Sequence, residues 1–420
     1  MTNWENVILL SADALRADHL SCYGYERETS PVLNGLAEES IRFTNAYSAS
    51  SHTREAVPAL LTGEYPDVAI DSSYRLATET IASTLSKEEF ATGGFHSNPF
   101  VSRAYGFDRG FDTFDDDLHL GQNKFIALAQ RAFDKLRNRH YARAEEINKR
   151  SLKWLDSLDS EEPFFLWNHY MDTHGPYEPP GKHETLYHDE GLTGRDAQSL
   201  YRRAIKDPES ITDDERELLI ALYDGEIRYN DAKIGEFLEA LRERGLLEQS
   251  LLIFTSDHGD AFGEHGYYEH PRYLHDEITH VPLLVRPPSG EKDKVLTPAS
   301  TLDIAATIKQ EISTDTDHEG SPLLEMSNEN RTVFMQARGE KKDDHLRRYA
   351  LRTQNGACFC ERDRETEAIE FTEWTERSLR DKLEAHVETR VRKENGETSS
   401  DDQEVDEEID RRLEALGYKE

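Results

Sequence analysis

The apolar run at residues 250–255 stops at Ser256-Asp257-His258-Gly259-Asp260, and that junction narrows the folds open to this chain. Six mostly apolar residues are too few for a helix and read as a buried strand. Two further runs behave the same way. Residues 6–10 lead into Ser11, Ala12 and Asp13, and residues 163–170 deliver Met171, Asp172, Thr173 and His174. Shorter strand patterns fall at 41–47, 90–95 and 281–285, and helical spacing at 78–88, 123–158 and 213–244. Continuous apolar strands alternating with helices predict a doubly wound, mostly parallel α/β sheet covered on both faces. Residues 181–211 are polar without a strong period and read as an insertion or lid.

In open α/β sheets ligands bind at the carboxyl ends of the strands. Asp257 and His258 sit at such an end, with Gly259 freeing the turn, and offer oxygen and nitrogen ligands to a divalent metal. Asp13 at the tip of the first strand offers another carboxylate, although an N-cap for the following helix explains it equally. Residues 50–53 lead into Ala56, Val57, Leu60 and Leu61 at helical spacing, closed by Gly63. Thr53 therefore stands at or just before a helix N-terminus, where free N–H groups favour an anion. Ser51 or Thr53 also suits the capping role. Two carboxylates, an imidazole and a hydroxyl at separate element ends make a set for one hard dication beside a nucleophile.

Lys and Arg total 50 against 84 Asp and Glu, a formal net charge of −34. Such a balance excludes a generic nucleic-acid binder and argues against attachment to anionic lipid. It fits adaptation to high salt. In molar salt the Debye length falls to about 3 Å, so an acidic surface hardly repels a small anionic substrate. The three cysteines, Cys22, Cys358 and Cys360, do not make a disulfide framework and read as packing. The N-terminus lacks the pattern of a signal peptide and no apolar run reaches membrane-spanning length, so a cytoplasmic location is expected.

The motifs Asn6-Val-Ile-Leu-Leu-Ser-Ala-Asp-Ala-Leu-Arg-Ala-Asp18, Cys22-Tyr-Gly24, Leu60-Leu-Thr-Gly-Glu-Tyr-Pro66, Met171-Asp-Thr-His-Gly-Pro-Tyr177 and Thr255-Ser-Asp-His-Gly-Asp260 occur in that order. With Val281-Pro282 and the closing Arg412-Leu-Glu-Ala-Leu-Gly-Tyr418, the chain resembles the sulfatase family of the alkaline phosphatase superfamily. The resemblance implies a doubly wound α/β domain with a smaller α+β lobe. It implies one divalent metal ion (Mn, Mg, Ca or Zn) held by Asp13, Asp257 and His258, with the nucleophile completing the shell. It also implies cleavage of small sulfate or phosphate esters.

Many members carry Cys-x-Pro-x-Arg ten residues before the Gly of Leu-Thr-Gly, and its first residue becomes formylglycine. Here that place holds Thr53, with Glu55 and Val57 at the Pro and Arg positions, so no formylglycine is expected. Thr at this place is similar to the lipoteichoic acid synthase and phosphoglycerol transferase branch. The usual second Asp beside the first is Ala14. The Lys expected before Val281 has no obvious counterpart, but His270 and Arg272 fall nearby.

The expected mechanism has Thr53 as nucleophile and metal ligand, with His174 or His270 protonating the leaving oxygen. Arg54, His265 and Arg272 are candidates for holding the ester, against the plain alternative that a His-rich loop is surface. The expected activity is metal-dependent hydrolysis or transfer of phosphate or sulfate esters. A formylglycine-independent sulfuric ester hydrolase and a non-catalytic metal-binding module are the alternatives. Expected boundaries are a catalytic domain at 1–290, a small α+β lobe at 291–375, and an acidic tail at 376–420 with a terminal helix. The sequence does not fix the oligomeric state.

Overall fold

The computed structural model describes residues 4–118, 141–189, 192, 194–310, 312, 319–326, 330–372, 377–394 and 412. Eight strands form one sheet: β1 (Asn6–Ala12), β2 (Ile41–Phe43), β3 (Ala91–Phe95), β4 (Thr113–Asp115), β5 (Phe164–Tyr170), β6 (Ser250–Ser256), β7 (Leu283–Arg286) and β8 (Asp293–Val295). Their spatial order is β8-β2-β7-β6-β1-β5-β3-β4. β7 runs antiparallel to its neighbours β6 and β2, and the other pairings are parallel. The three runs singled out by their apolar character are the three central strands.

These strands are apolar on both sides because both faces are covered. Ile8, Leu10, Leu166, Leu252 and Phe254 face one cluster, shared with Leu219, Leu222, Ile227 and Phe237 of the long helix Asp213–Glu243. Val7, Leu9, Phe165, Trp167, Leu251 and Ile253 face the other, shared with Val57, Leu60 and Leu61 of helix Thr53–Thr62 and with Ile304 and Ile308 of helix Leu302–Gln310. The Asp213–Glu243 helix begins in a capping box, in which Thr212 and Glu215 satisfy each other's backbone N–H groups.

Some expected boundaries shift. The 41–47 run is two strands rather than one, Ile41–Phe43 and Ala46–Tyr47, because the second pairs with Ala299–Ser300 instead of the main sheet. The polar 181–211 stretch contains a helix, Gly194–Lys206. Its buried positions Ala197, Leu200, Tyr201 and Ala204 keep helical spacing, but two alanines among charged residues make a faint signal. Of the helix expected at 123–158, residues 144–155 are helical, and 123–140 lie outside the described residues.

The chain also stays with the main sheet beyond residue 290. β8 pairs with β2, and Leu302–Gln310 packs on Thr53–Thr62. The smaller lobe is an antiparallel sheet of Val333–Arg338, Leu346–Thr353, Gly356–Asp363 and Ile369–Phe371, neighbours in chain order. Leu379, Leu383 and Val387 of the helix Arg377–Glu394 cover it, against Tyr349, Leu351, Cys358 and Cys360. The charged stretch after 376 thus begins as part of this lobe. The terminal helix expected at 404–416 lies outside the described residues apart from Arg412, which binds Asp117.

Leu9 lies at the middle of β1 and is fully buried. Leu9→Ala is expected to cost about 2–5 kcal/mol, measured as a lowered midpoint in reversible denaturant unfolding.

Candidate active site

The register of the central strands brings the site together. Ala12 of β1 pairs with Ser256 of β6 and with Tyr170 of β5. The next residues, Asp13, Asp257 and Met171, therefore leave the sheet side by side at its carboxyl edge. The main chain at Asp13 is tied twice to the end of β5, since its N–H donates to the Tyr170 carbonyl and its own carbonyl accepts from the Thr173 hydroxyl. Ala14 takes a left-handed φ of 58°, so the chain turns sharply after the carboxylate.

Each carboxylate is held by one oxygen. Asp13 Oδ2 accepts from Asn98 Nδ2 at 2.6 Å and lies 3.1 Å from His169 Nε2. The Trp167 indole donates to Ser11 Oγ at 3.0 Å, so the Ser11 proton is left for His169 Nδ1 at 2.9 Å, and His169 Nε2 carries the proton given to Asp13. Asp257 Oδ1 accepts from the backbone N–H groups of His258 and Ala14. The other two oxygens, Asp13 Oδ1 and Asp257 Oδ2, are buried and have no hydrogen-bond partner among the described residues. They lie 3.5 and 3.6 Å from His258 Nε2. His258 Nδ1 lies 2.9 Å from the Gly259 carbonyl, which fixes Nδ1 as the donor and leaves Nε2 its lone pair.

Burial alone would raise both carboxyls. For Asp13 the rings of His174, His169 and His258 outweigh it and hold the group below the usual carboxylate range. For Asp257, burial and then the charge of Asp13 push it well above. Two unpartnered carboxylate oxygens and an imidazole lone pair, all buried, need a cation or a proton among them. Asp13, Asp257 and His258 have ligand atoms within 4.8 Å of one another, and this donor set fits a divalent metal.

Thr53 enters the same group. It is the first residue of helix Thr53–Thr62, and the N-cap is His52, whose side chain accepts from the Arg54 N–H at 3.2 Å. The cap is neither Ser51 nor Thr53, because a ring nitrogen supplies the acceptor. The Thr53 hydroxyl is buried and lies 3.1 Å from His258 Nε2. Ser51 Oγ, also buried, has no partner among the described residues.

Around these atoms stand more imidazoles. The His270 ring is 4.3 Å from that of His258 and 5.1 Å from that of His174. His270 Nδ1 lies 2.7 Å from Asp260 Oδ1, and the other Asp260 oxygen takes the Tyr177 hydroxyl. Burial raises the Asp260 carboxyl to about 6, with His174 and Tyr177 opposing, while burial and then His258 drive His270 well below the usual imidazole range. His174 Nδ1 is held by the Gly175 carbonyl at 2.6 Å.

The remaining sequence candidates fall elsewhere around this centre. Arg54 lies over the rings of Phe100 and Tyr74, at 4.1 and 4.9 Å. Arg272 pairs with the buried Glu55, whose other oxygen accepts from Ser50 and from the Arg338 N–H. His265 pairs with Glu277 and stacks on His275, outside the ring cluster of His258, His270 and His174. Asp172, at the tip of β5, accepts from the Ala144 N–H and pairs with Arg143, so it serves the start of helix Ala144–Leu155. Sequence reasoning gave no role to Asn98, His169 or Asp260. A polar residue inside the apolar run of β5 and a second Asp in Asp257-His258-Gly259-Asp260 were the available signals.

Gly259 follows Asp257 and His258. Its N–H donates to the Ile278 carbonyl at 2.6 Å, and a Cβ there would stand 2.3 Å from the Glu277 carbonyl oxygen and 2.9 Å from Arg16 Cγ.

A family model described as Sulfatase matches residues 5–310 of this chain. The chain is 25% identical over 340 residues to "Uncharacterized sulfatase YidJ" of Escherichia coli (strain K12), covering 72% of this chain and 67% of that protein. It is 26% identical over 396 residues to an arylsulfatase of Clostridium perfringens (strain 13 / Type A), covering 78% of this chain and 79% of that protein. Among solved structures it is similar to the phosphonate monoester hydrolase of Agrobacterium radiobacter, with a TM-score of 0.70 at 17% identity over 93% of this chain and 96% of the other. At that identity the likeness speaks to the fold.

Metal binding at this site is expected to release protons, because burial and the charge of Asp13 push the Asp257 carboxyl well above its ordinary range and favour its protonated form until a cation takes the proton's place. Calorimetric titration of chelator-stripped protein with Mn²⁺ at pH 7, in buffers of different ionisation heat, is expected to show about one proton released per ion bound. Affinity is expected to rise with pH, and Asp257→Asn to abolish both effects.

Proposed function

The chain belongs to the sulfatase family of ester hydrolases, and from that premise we propose that it cleaves phosphate or sulfate esters through Thr53 at a divalent metal centre. One observation carries this reading. Thr53 Oγ1 lies 3.1 Å from the same His258 nitrogen that the two unpartnered carboxylate oxygens approach. The hydroxyl is not spent on capping its helix and sits where a fourth ligand and attacking atom belongs.

Asp13, Asp257, His258 and Thr53 would hold the ion, which when bound lowers the pKa of the hydroxyl and withdraws charge from the ester oxygens. The Thr53 hydroxyl passes its proton to Nε2 of His270 or of His174, the rings whose Nδ1 atoms are already engaged. Oγ1 bonds to the central phosphorus or sulfur as the bond to the leaving oxygen breaks, leaving a covalent ester on the enzyme. The N–H groups of Arg54, Glu55 and Ala56 are taken by His52, so helix Thr53–Thr62 offers the developing charge the positive end of its dipole. His270, held at Nδ1 by Asp260, or His174, held at Nδ1 by Gly175, returns that proton from Nε2 to the leaving oxygen. Such help is worth about 10² to 10⁴-fold. Water or an acceptor alcohol then takes the group from Thr53 and regenerates the hydroxyl.

Phosphoester cleavage is the reading preferred here, because threonine has no route to formylglycine and acts as a simple alcohol. Sulfuric ester cleavage is the second reading, favoured by the order of the motifs and by the arylsulfatase relative.

Assays with aryl phosphate, phosphodiester and aryl sulfate, in Mn²⁺ or Mg²⁺ and high KCl, are expected to show turnover on one class. Thr53→Ala is expected to lower kcat at least about 10³-fold while leaving the thermal midpoint near that of the parent. Mass analysis of acid-quenched enzyme is expected to place the trapped group on Thr53. Undiminished turnover in the variant would remove Thr53 from the mechanism.

A further inference from the structure

A second group of metal-ligating side chains lies outside the centre just described. His265, His275 and Glu277 have ligand atoms within 4.8 Å of one another and share no residue with Asp13, Asp257 and His258. His265 Nε2 is 3.2 Å from Glu277 Oε1, and His275 Nδ1 is 3.9 Å from the same oxygen. The Tyr267 hydroxyl stands between them, 2.6 Å from His275 Nδ1 and 2.9 Å from Glu277 Oε1. Two imidazole nitrogens and a phenol oxygen thus converge on one carboxylate oxygen.

The group is built rigidly. The imidazoles of His265 and His275 stack with centroids 4.0 Å apart and planes 28° from parallel. Tyr267 and Tyr273 extend the stack, and Phe359 of the smaller lobe meets His275 edge-on at 5.5 Å. Glu277 is buried on the short helix Asp276–Thr279, whereas the His265 side chain is 48% exposed and gives an ion a way in from solvent. Ligands about 2.0–2.2 Å from a tetrahedral zinc stand roughly 3.3–3.5 Å from one another. The His265–Glu277 edge of 3.2 Å is close to that spacing, and the His275–Glu277 edge of 3.9 Å needs a small closure.

We propose that His265, His275 and Glu277 form a second metal site, of zinc type, that clamps the 263–277 loop beside the catalytic centre. The donor set of two imidazoles and one carboxylate suits Zn²⁺, Co²⁺ or Ni²⁺ rather than the all-oxygen shells of Ca²⁺ or Mg²⁺. Without the ion, one proton chain satisfies the group: His275 Nδ1 donates to the Tyr267 hydroxyl, which donates to Glu277, and His265 Nε2 donates to the same carboxylate. Binding shifts each imidazole proton to the other nitrogen of its ring, sends the Tyr267 hydroxyl proton away from Glu277 to another acceptor, and draws His265 and Glu277 onto one centre. The clamp reaches the first centre through the main chain, because the Ile278 carbonyl accepts the Gly259 N–H directly after His258.

The test uses the full-length protein, stripped with chelator and dialysed, then titrated with Co²⁺ and Zn²⁺. Metal content after equilibrium dialysis and the visible absorption of bound Co²⁺ are the readouts. The expected result is two Zn²⁺ per parent chain. Asp257→Asn is expected to keep one ion, with the intense visible bands of four-coordinate Co²⁺. Adding His265→Ala to that variant is expected to remove the bands and weaken Zn²⁺ binding by at least about 100-fold. His265 is half exposed, so its loss opens no hole in the core. A parent chain that binds one Zn²⁺, an Asp257→Asn variant that binds none, or a His265→Ala/His275→Ala variant that still binds two would each overturn the proposal.

Discussion

Two buried carboxylate oxygens with no hydrogen-bond partner among the described residues, 3.5 and 3.6 Å from one imidazole nitrogen, are the constraint around which this structure is arranged. With ligand atoms within 4.8 Å of one another, two charged carboxylates would repel in a medium that screens them poorly, and the Asp257 carboxyl is accordingly pushed well above its ordinary range. The fold nevertheless fixes them there. β1 lies between β5 and β6, and parallel pairing at Ala12 sets residues 13 and 257 next to each other. The other oxygen of each group is locked, by Asn98 and His169 on one side and by backbone N–H groups on the other. The open oxygens therefore point inward because their partners leave no other direction.

The same logic explains why the support reaches so far from the centre. Trp167, Ser11 and His169 form a line of donors across two strands that ends on Asp13. Trp167 is also one of the largest fully buried side chains and packs in the core on one face of the sheet. A residue that stabilises by burial thus also fixes the tautomer of a ring touching the site. Core and chemistry are coupled through one indole N–H.

Much of this was legible in the sequence, and for a physical reason. Strands buried on both faces must be apolar throughout, so Asp13 and Asp257-His258 stood out where such runs stopped. His169 and Asn98 did not stand out, because a single polar residue in a buried run or a loop has many dull explanations. Asp260 was hidden by its more conspicuous neighbours, although it holds His270 at Nδ1. Histidine as the N-cap of the Thr53–Thr62 helix ran against the usual preference for short hydroxyl and carboxylate residues. The continuation of the main sheet through β8 was obscured by the turn at 287–290, which looks like a boundary and is only a bend between paired strands.

Gly259 carries a consequence for how this chain can vary. The backbone of Glu277 fills the space a methyl group would need, and Arg16 stands on another side. Even the smallest side chain would act as a wedge between two main-chain segments, and the segment it would lift carries Asp257 and His258. Drift at this position is closed to the protein by shape alone, whatever its substrate, since the first atom added there would be felt at Asp257 and His258 before it was felt anywhere else.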